Sequence, residues 1–285
     1  MTGMEIARTL QLPEEIFEAV YQTQPLNIQP DVDNPHNTVE ALGNFAQQDN
    51  GLGILRFCLD WAAELKERYD SLGIPEKVFW DGVEDIAIWA EDYRNKQGVC
   101  GFAEWRWVAK TLSMEVFRLG RLQFEPIRLY EDAVCNGRLY TAGTAALSVH
   151  IPAGEPLDSA QVQEAMAYAP AFFGQYFQKQ FVLFYCHSWL MSPQLKELLP
   201  EQARILQFQN LFYVYKMDQE RQAEERVFGF VAENPEDYPE VTSLQKKMKA
   251  LLLAGKSFGM GHGVCEISET KNYSLNGRSF LSVLE

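Results

Sequence analysis

Two histidines close runs that read as β-strands, in Val149-His150-Ile151-Pro152 and in Cys186-His187-Ser188-Trp189. An imidazole with an ordinary pKa near 6.5 can accept a proton from an amine or from water at neutral pH, so His150 and His187 are candidate general bases. Strand period two places Ala146, Ser148 and His150 on one face, and it puts Cys186 and His187 on opposite faces. Cys186 and His187 therefore cannot form a Cys-His pair with each other, and the pairings to test are His150 with His187 and Cys186 with His150. The plainer alternative is that both histidines are hydrogen-bonded, half-buried strand residues and that Cys186 is an inert buried thiol.

Three further features carry candidate chemistry. Phe117 to Glu125 interleaves Arg118 and Arg121 with apolar residues, which suits a cleft-lining strand facing an anion, or a solvated surface. Glu125 stands before Pro126 as a carboxylate base or as a turn residue. The run Gly259-Met260-Gly261-His262-Gly263 looks like a phosphate loop, but such loops present amides at the start of a following helix, and here the expected helix precedes the glycines. A flexible turn between helix and strand is the reading for it.

The elements that must position these residues change character along the chain. Leu52, Leu55, Cys58, Leu59, Ala62, Leu65 and Tyr69 recur at helical spacing until Gly73 and Pro75. Phe79, Val83, Ile86, Ala90 and Tyr93 form a second stripe, and Phe102, Trp105, Val108 and Leu112 a third. The segment from Gln24 to Asn50, rich in Asn, Asp, Gln and Pro, reads as a long loop. After Glu115, short strand-like runs alternate with helices, so the expected division is a helical domain over 1–115 and a mixed domain over 116–285.

Predicted strands are Phe117 to Glu125, Ile127 to Val134, Arg138 to Tyr140, Ala145 to Ile151, Phe181 to His187 and Ile205 to Lys216. Val227 to Val231 and Gly263 to Ile267 are shorter candidates. Asn136-Gly137 signals a hairpin turn. Predicted helices run from Asp158 to Phe177 with Asp158 as cap, from Ser192 with Pro193 in its first turn, and from Thr242 to Ala254 before Gly255.

Composition bounds the partners. A net charge of −14 over 285 residues repels phosphate backbones and anionic lipid, so neither nucleic acid nor a membrane surface is an expected partner. Five dispersed cysteines without a CxxC pair fit reduced thiols in the cytoplasm, and they form neither a disulfide framework nor a metal knuckle, so no metal is expected. The N-terminal residues show no signal-like apolar core, and the longest uncharged stretches fall short of the roughly 20 residues of a spanning helix.

Several blocks together resemble a known family. They are Leu72-Gly73-Ile74-Pro75, Gly98 to Trp107, FRLGRLQFEP at 117–126, VHIPAGEPLD at 149–158, CHSWLMSPQL at 186–195, Phe208, VFGF at 227–230 and TSLQKKMKALLLAG at 242–255. In this order they resemble acyltransferases that join a helical N-acyltransferase N-terminal domain to a GNAT-like C-terminal domain. The resemblance implies an α+β fold, with the helical domain followed by a mixed, mostly antiparallel sheet flanked by helices. It implies transfer of an acyl group from a thioester, acyl-CoA or acetyl-CoA, to an amine acceptor. Under it His150, His187, Glu125 and Cys186 are the catalytic candidates, and Arg118, Arg121, Ser188 and Trp189 the donor-binding ones. The family's pyrophosphate string, Gln/Arg-x-x-Gly-x-Gly/Ala between a strand and a helix, does not occur. That departure is consistent with a non-catalytic ligand-binding or scaffold protein of the same fold, and a thiol enzyme using Cys186 is a separate third alternative.

Overall fold

The structure is a computed structural model that describes residues 1–31 and 34–267; residues 268–285 of the expected second domain lie outside the described residues. Two compact units divide the described chain, one over Met1–Gln123 and the other from Phe124 onward.

The first unit is helical. It contains α1 (Gly3–Thr9), α2 (Glu14–Gln22), α3 (Pro35–Gly43), α4 (Leu52–Leu72), α5 (Glu76–Gln97) and α6 (Trp105–Leu112), followed by strand β1 (Phe117–Leu119). α4 is the hub, with α1, α2, α5 and α6 packed against it. Its helical stripe explains this, since Leu55, Cys58, Leu59, Ala62, Leu65 and Tyr69 are all buried. Gly73 ends α4 in the left-handed region at φ 67°, where a Cβ would be strained. The segment expected as a long loop contains α3, whose short buried set is Thr38 and Leu42, too sparse a stripe to show in the sequence.

The second unit is built on a sheet. Its strands are β2 (Leu122–Arg128), β3 (Ala133–Cys135), β4 (Arg138–Tyr140), β5 (Ala145–His150), β6 (Leu183–Ser188), β7 (Tyr213–Asp218) and β8 (Met260–Glu266). Its helices are α7 (Ser159–Phe177), α8 (Leu195–Leu198), α9 (Arg204–Gln209), α10 (Gln222–Phe228) and α11 (Ser243–Leu253). The sheet runs β2-β5-β6-β8-β7, and β3 with β4 forms a separate hairpin. β5 and β6 are parallel, whereas β6–β8, β7–β8 and β3–β4 are antiparallel, which is the mixed, mostly antiparallel character expected. A parallel pair needs a long crossover, and α7 supplies it. α7 starts where Asp158 accepts the amide protons of Ala160 and Gln161, and it buries Val162, Ala165, Met166, Ala169, Phe172 and Phe173.

Several strand assignments change. The run Phe117 to Glu125 breaks into β1 and β2 around Gly120, which sits at φ 68° in the turn between them. Ile205 to Lys216 splits into α9 and β7, and Val227 to Val231 gives way to the end of α10 at Phe228 and its cap at Gly229. The second predicted helix starts later than Ser192, because Trp189–Met191 is a 3-10 turn and α8 covers only Leu195–Leu198. The glycine run Gly259 to Gly263 is no turn: Met260–Glu266 is strand β8.

The glycines of β8 answer a packing demand. A Cβ on Gly261 would lie 2.6 Å from the Met191 carbonyl oxygen, and one on Gly263 would lie 2.9 Å from Phe212 Cβ. Gly261→Ala must displace backbone, so it should cost about 1–3 kcal/mol in urea unfolding, the usual range for overpacking. Among the described residues no helix is long and apolar enough to cross a membrane.

Candidate active site

The parallel ladder between β5 and β6 runs Ala146↔Leu183, Leu147↔Phe184 and Ser148↔Tyr185. Both strands continue past it, β5 to His150 and β6 to Ser188. On its other side β6 pairs with β8 from Leu183 to Ser188, so that His187 lies directly opposite His262. The two imidazoles stack with centroids 4.0 Å apart and planes at 19°. Tyr185, two residues before His187 and therefore on the same face, places its hydroxyl 2.7 Å from His262 Nδ1. Asp218, at the end of β7, places Oδ2 2.7 Å from His262 Nε2 and 3.2 Å from His187 Nε2.

The hydrogen-bond roles follow from the chemistry of the groups. The hydrogen bond to His262 holds the Asp218 carboxyl below its usual range, so it is an anion that can only accept. His262 Nε2–H therefore donates to it, and in neutral His262 the Nδ1 lone pair accepts the Tyr185 hydroxyl. His187 Nε2 lies 3.2 Å from the same carboxylate and makes no hydrogen bond among the described residues. Burial, then the neighbouring His262, pushes the His187 pKa below its ordinary value, against the opposing pull of Asp218 and Glu220. His187 is thus a neutral imidazole at pH 7 with a carboxylate beside it. Burial likewise raises Tyr185, and it lifts Tyr215 to about 12, so both phenols stay protonated.

Of the other sequence candidates, Glu125 and His150 pair with each other, with Oε2 and Nε2 3.0 Å apart. The histidine that the structure sets against His187 is His262. Cys186 is fully buried and its thiol is pushed up to about 12, which leaves almost no thiolate at neutral pH. Ser188 Oγ accepts the Leu190 amide at 3.2 Å and caps the 3-10 turn, while Trp189 packs half-buried on the helical cluster around Leu195 and Phe228. Arg118 and Arg121 belong to the first unit and are buried there, and Arg118 donates to Glu84 at 2.6 Å. Near Arg118, Gln123 and Trp107 donate to buried Asp85 at 2.7 and 3.0 Å.

A cleft of about 390 Å³ opens elsewhere in the second unit. The first turns of α7 line one side with Leu157, Ser159 and Val162, and α9 lines the other with Arg204, Gln207 and Phe208. This cleft was not legible in the sequence, because residues 205–216 read as one strand and concealed the helix α9 that carries Gln207 and Phe208.

Tyr185, Asp218 and His262 escaped sequence reasoning for different reasons. Tyr185 was reachable, since period two sets it beside His187. His262 was masked by its flanking glycines, and Asp218 lies beyond the expected end of its strand.

Solved structures show the same fold. A crystal structure of an acyltransferase in complex with decanoyl-CoA and teicoplanin superposes with TM-score 0.72 at 23% identity, covering 92% of this chain and 87% of that one. One of an acyltransferase with CoA and 10C-teicoplanin gives TM-score 0.73 at 23% identity with 92% and 87% coverage. One with decanoyl-CoA alone gives TM-score 0.71 at 24% identity with 92% and 86% coverage. A comparison with curated proteins returns no match. The pattern of an N-acyltransferase N-terminal domain matches residues 1–114 and that of a GNAT-like C-terminal domain matches residues 116–265, and the chain belongs to the family built from these two domains.

Proposed function

We propose that the protein transfers an acyl group from an acyl-CoA thioester to an amine. The observation that carries this reading is His187, an imidazole kept neutral by burial and set at the point where the parallel ladder of β5 and β6 has ended. The attacking amine forms a C–N bond to the thioester carbonyl, the C–S bond breaks, and the coenzyme leaves as a thiol. His187 takes the proton the amine must lose. Its Nε2 is shielded and faces Asp218, so Nδ1 is the nitrogen assigned to the substrate. Asp218, anchored by His262 and through it by Tyr185, stabilises the imidazolium that forms. The Glu125–His150 pair on the neighbouring strands is the second candidate acid–base pair.

The donor's anionic arm is assigned to the cleft between α7 and α9. Two of the first amides of α7 are taken by the Asp158 carboxylate, so they do not serve a pyrophosphate, and Arg204 on the facing helix is the cation at hand. This explains how the chain can lack the family's phosphate string without losing the donor. Solved relatives of the same fold hold CoA, decanoyl-CoA and teicoplanin, which supports a long-chain donor and a bulky acceptor. Five free cysteines support a cytoplasmic location, and we place the domain division at 115/116.

A thermal-shift panel of acyl-CoAs tests the reading. A donor at about 100 times its Kd should stabilise the protein by about 2.7 kcal/mol. Arg204→Glu should raise the donor KM about tenfold or more and leave kcat nearly unchanged, because it touches the donor away from the reacting carbonyl. No stabilisation by any acyl-CoA, with no amide product detectable by mass spectrometry, would overturn it.

A further inference from the structure

We propose that His187 Nε2, His262 Nε2 and Asp218 Oδ2 form a binding site for one divalent transition-metal cation of the zinc class, and that its occupation silences the acyl-transfer base. One ligand atom from each of the three residues lies within 4.8 Å of the others, and Asp218 Oδ2 is 3.2 Å from His187 Nε2 and 2.7 Å from His262 Nε2. Two imidazole nitrogens and one carboxylate oxygen make a donor set that suits zinc, cobalt(II) or nickel(II) rather than calcium or magnesium, which prefer oxygen throughout.

The scaffold fits the demand for fixed ligands. The donors come from three neighbouring strands, β6, β8 and β7, and their spacing is set by ladder pairing. His187 is opposite His262, and Asp218 is opposite Met260, two residues along the same strand. The second ring nitrogen of His262 is already engaged by the Tyr185 hydroxyl at 2.7 Å, the kind of outer contact that orients a metal-ligating histidine. His187 Nε2 is buried and makes no hydrogen bond among the described residues, so turning that ring toward a cation breaks none of theirs.

Binding requires two rearrangements. The stacked rings hold their in-plane lone pairs nearly parallel, so His187 must rotate about its Cβ–Cγ bond for both nitrogens to converge. His262 must change tautomer: its Nε2 proton passes to solvent while Nδ1 takes one up and then donates to the Tyr185 oxygen, so this neutral ring releases no net proton. Glu220 adds negative charge near His187, while Lys216 Nζ, 3.9 Å from Asp218 Oδ1, opposes the cation but is itself engaged by Glu131 at 2.9 Å. Three protein ligands leave a fourth position to solvent.

The silencing rests on the proposed acyl transfer, whereas the binding does not, so the two are read separately. Calorimetric titration of the chelator-treated full chain with Zn²⁺, in a phosphine reductant, should show one saturable equivalent. Affinity should fall at least tenfold in His187→Gln and in Asp218→Asn, and should be retained in His150→Gln and Cys100→Ser. His187 is partly exposed, so His187→Gln should melt with the parent, and circular dichroism checks this. Absence of saturable binding, or unchanged affinity in both His187→Gln and Asp218→Asn, overturns the site. One equivalent of Zn²⁺ should abolish turnover and excess chelator should restore it; a cation that binds through these residues and leaves turnover intact overturns the silencing.

Discussion

His187→Ala is expected to lower kcat by about 10²–10⁴-fold, the usual contribution of a positioned general base, with the KM for the acyl-CoA donor nearly unchanged. Steady-state kinetics with chelator present reads both numbers. The pH profile separates a proton-transfer role from a structural one. Because burial and His262 lower the His187 pKa, the acid limb of kcat/KM should have its midpoint below 6.5, the ordinary histidine value. Asp218 pulls in the opposite direction, so Asp218→Asn should move that midpoint lower still. A residue that merely packs would leave the midpoint where it was. The same depression has a stability consequence of definite sign. Between the folded value and 6.5 the unfolded chain binds more protons than the folded one, so the His187 contribution makes stability fall as pH drops below 6.5 and is absent above it. A midpoint above 6.5 in the parent, or a His187→Ala variant with parental kcat, would sink the assignment.

How far this site was legible in the sequence follows from which interactions are local. The helices α4, α5 and α7 could be read because each buries one stripe of its own residues, and α11 because its capping box marks its start and Leu244, Met248, Leu251 and Leu252 face one cluster. The hairpin of β3 and β4 could be read because Asn136 and Gly137 occupy its turn at φ 49° and 77°, which few residue types tolerate. The β8–β7 end of the sheet could not. β7 is half-exposed along its length and follows α9 closely, so residues 205–216, rich in Ile, Leu, Phe, Tyr and Val, read as one strand. His262 depends on register: its partners Tyr185, His187 and Asp218 lie 77, 75 and 44 positions away in sequence and meet only through the β6–β8 and β7–β8 ladders. The glycines at 261 and 263, which look like loop punctuation, are instead the two positions where Met191 and Phe212 leave no room for a side chain.

Phe184→Ala is expected to cost about 3–5 kcal/mol of stability, the range for removing a large buried aromatic. β6 is flanked by β5 and β8, and Phe184 is fully buried opposite Leu147 on one side and Cys265 on the other. Its ring lies 5.9 Å from that of Phe124 on β2, so its loss opens a void between strands that the ladders prevent from collapsing. Period two puts Phe184 on the face opposite Tyr185 and His187, so the void forms behind the candidate base rather than in front of it. Tyr185→Phe is the comparison: it keeps the ring and removes only the hydroxyl bond to His262, worth about 1 kcal/mol. Chemical denaturation orders the two variants, and a Phe184→Ala loss below that of Tyr185→Phe would show that the sheet is not held by its apolar face. In the folded fraction Phe184→Ala should keep most of its kcat while His187→Ala keeps its stability and loses turnover. That opposition is what a strand with one face for packing and the other for proton transfer must produce.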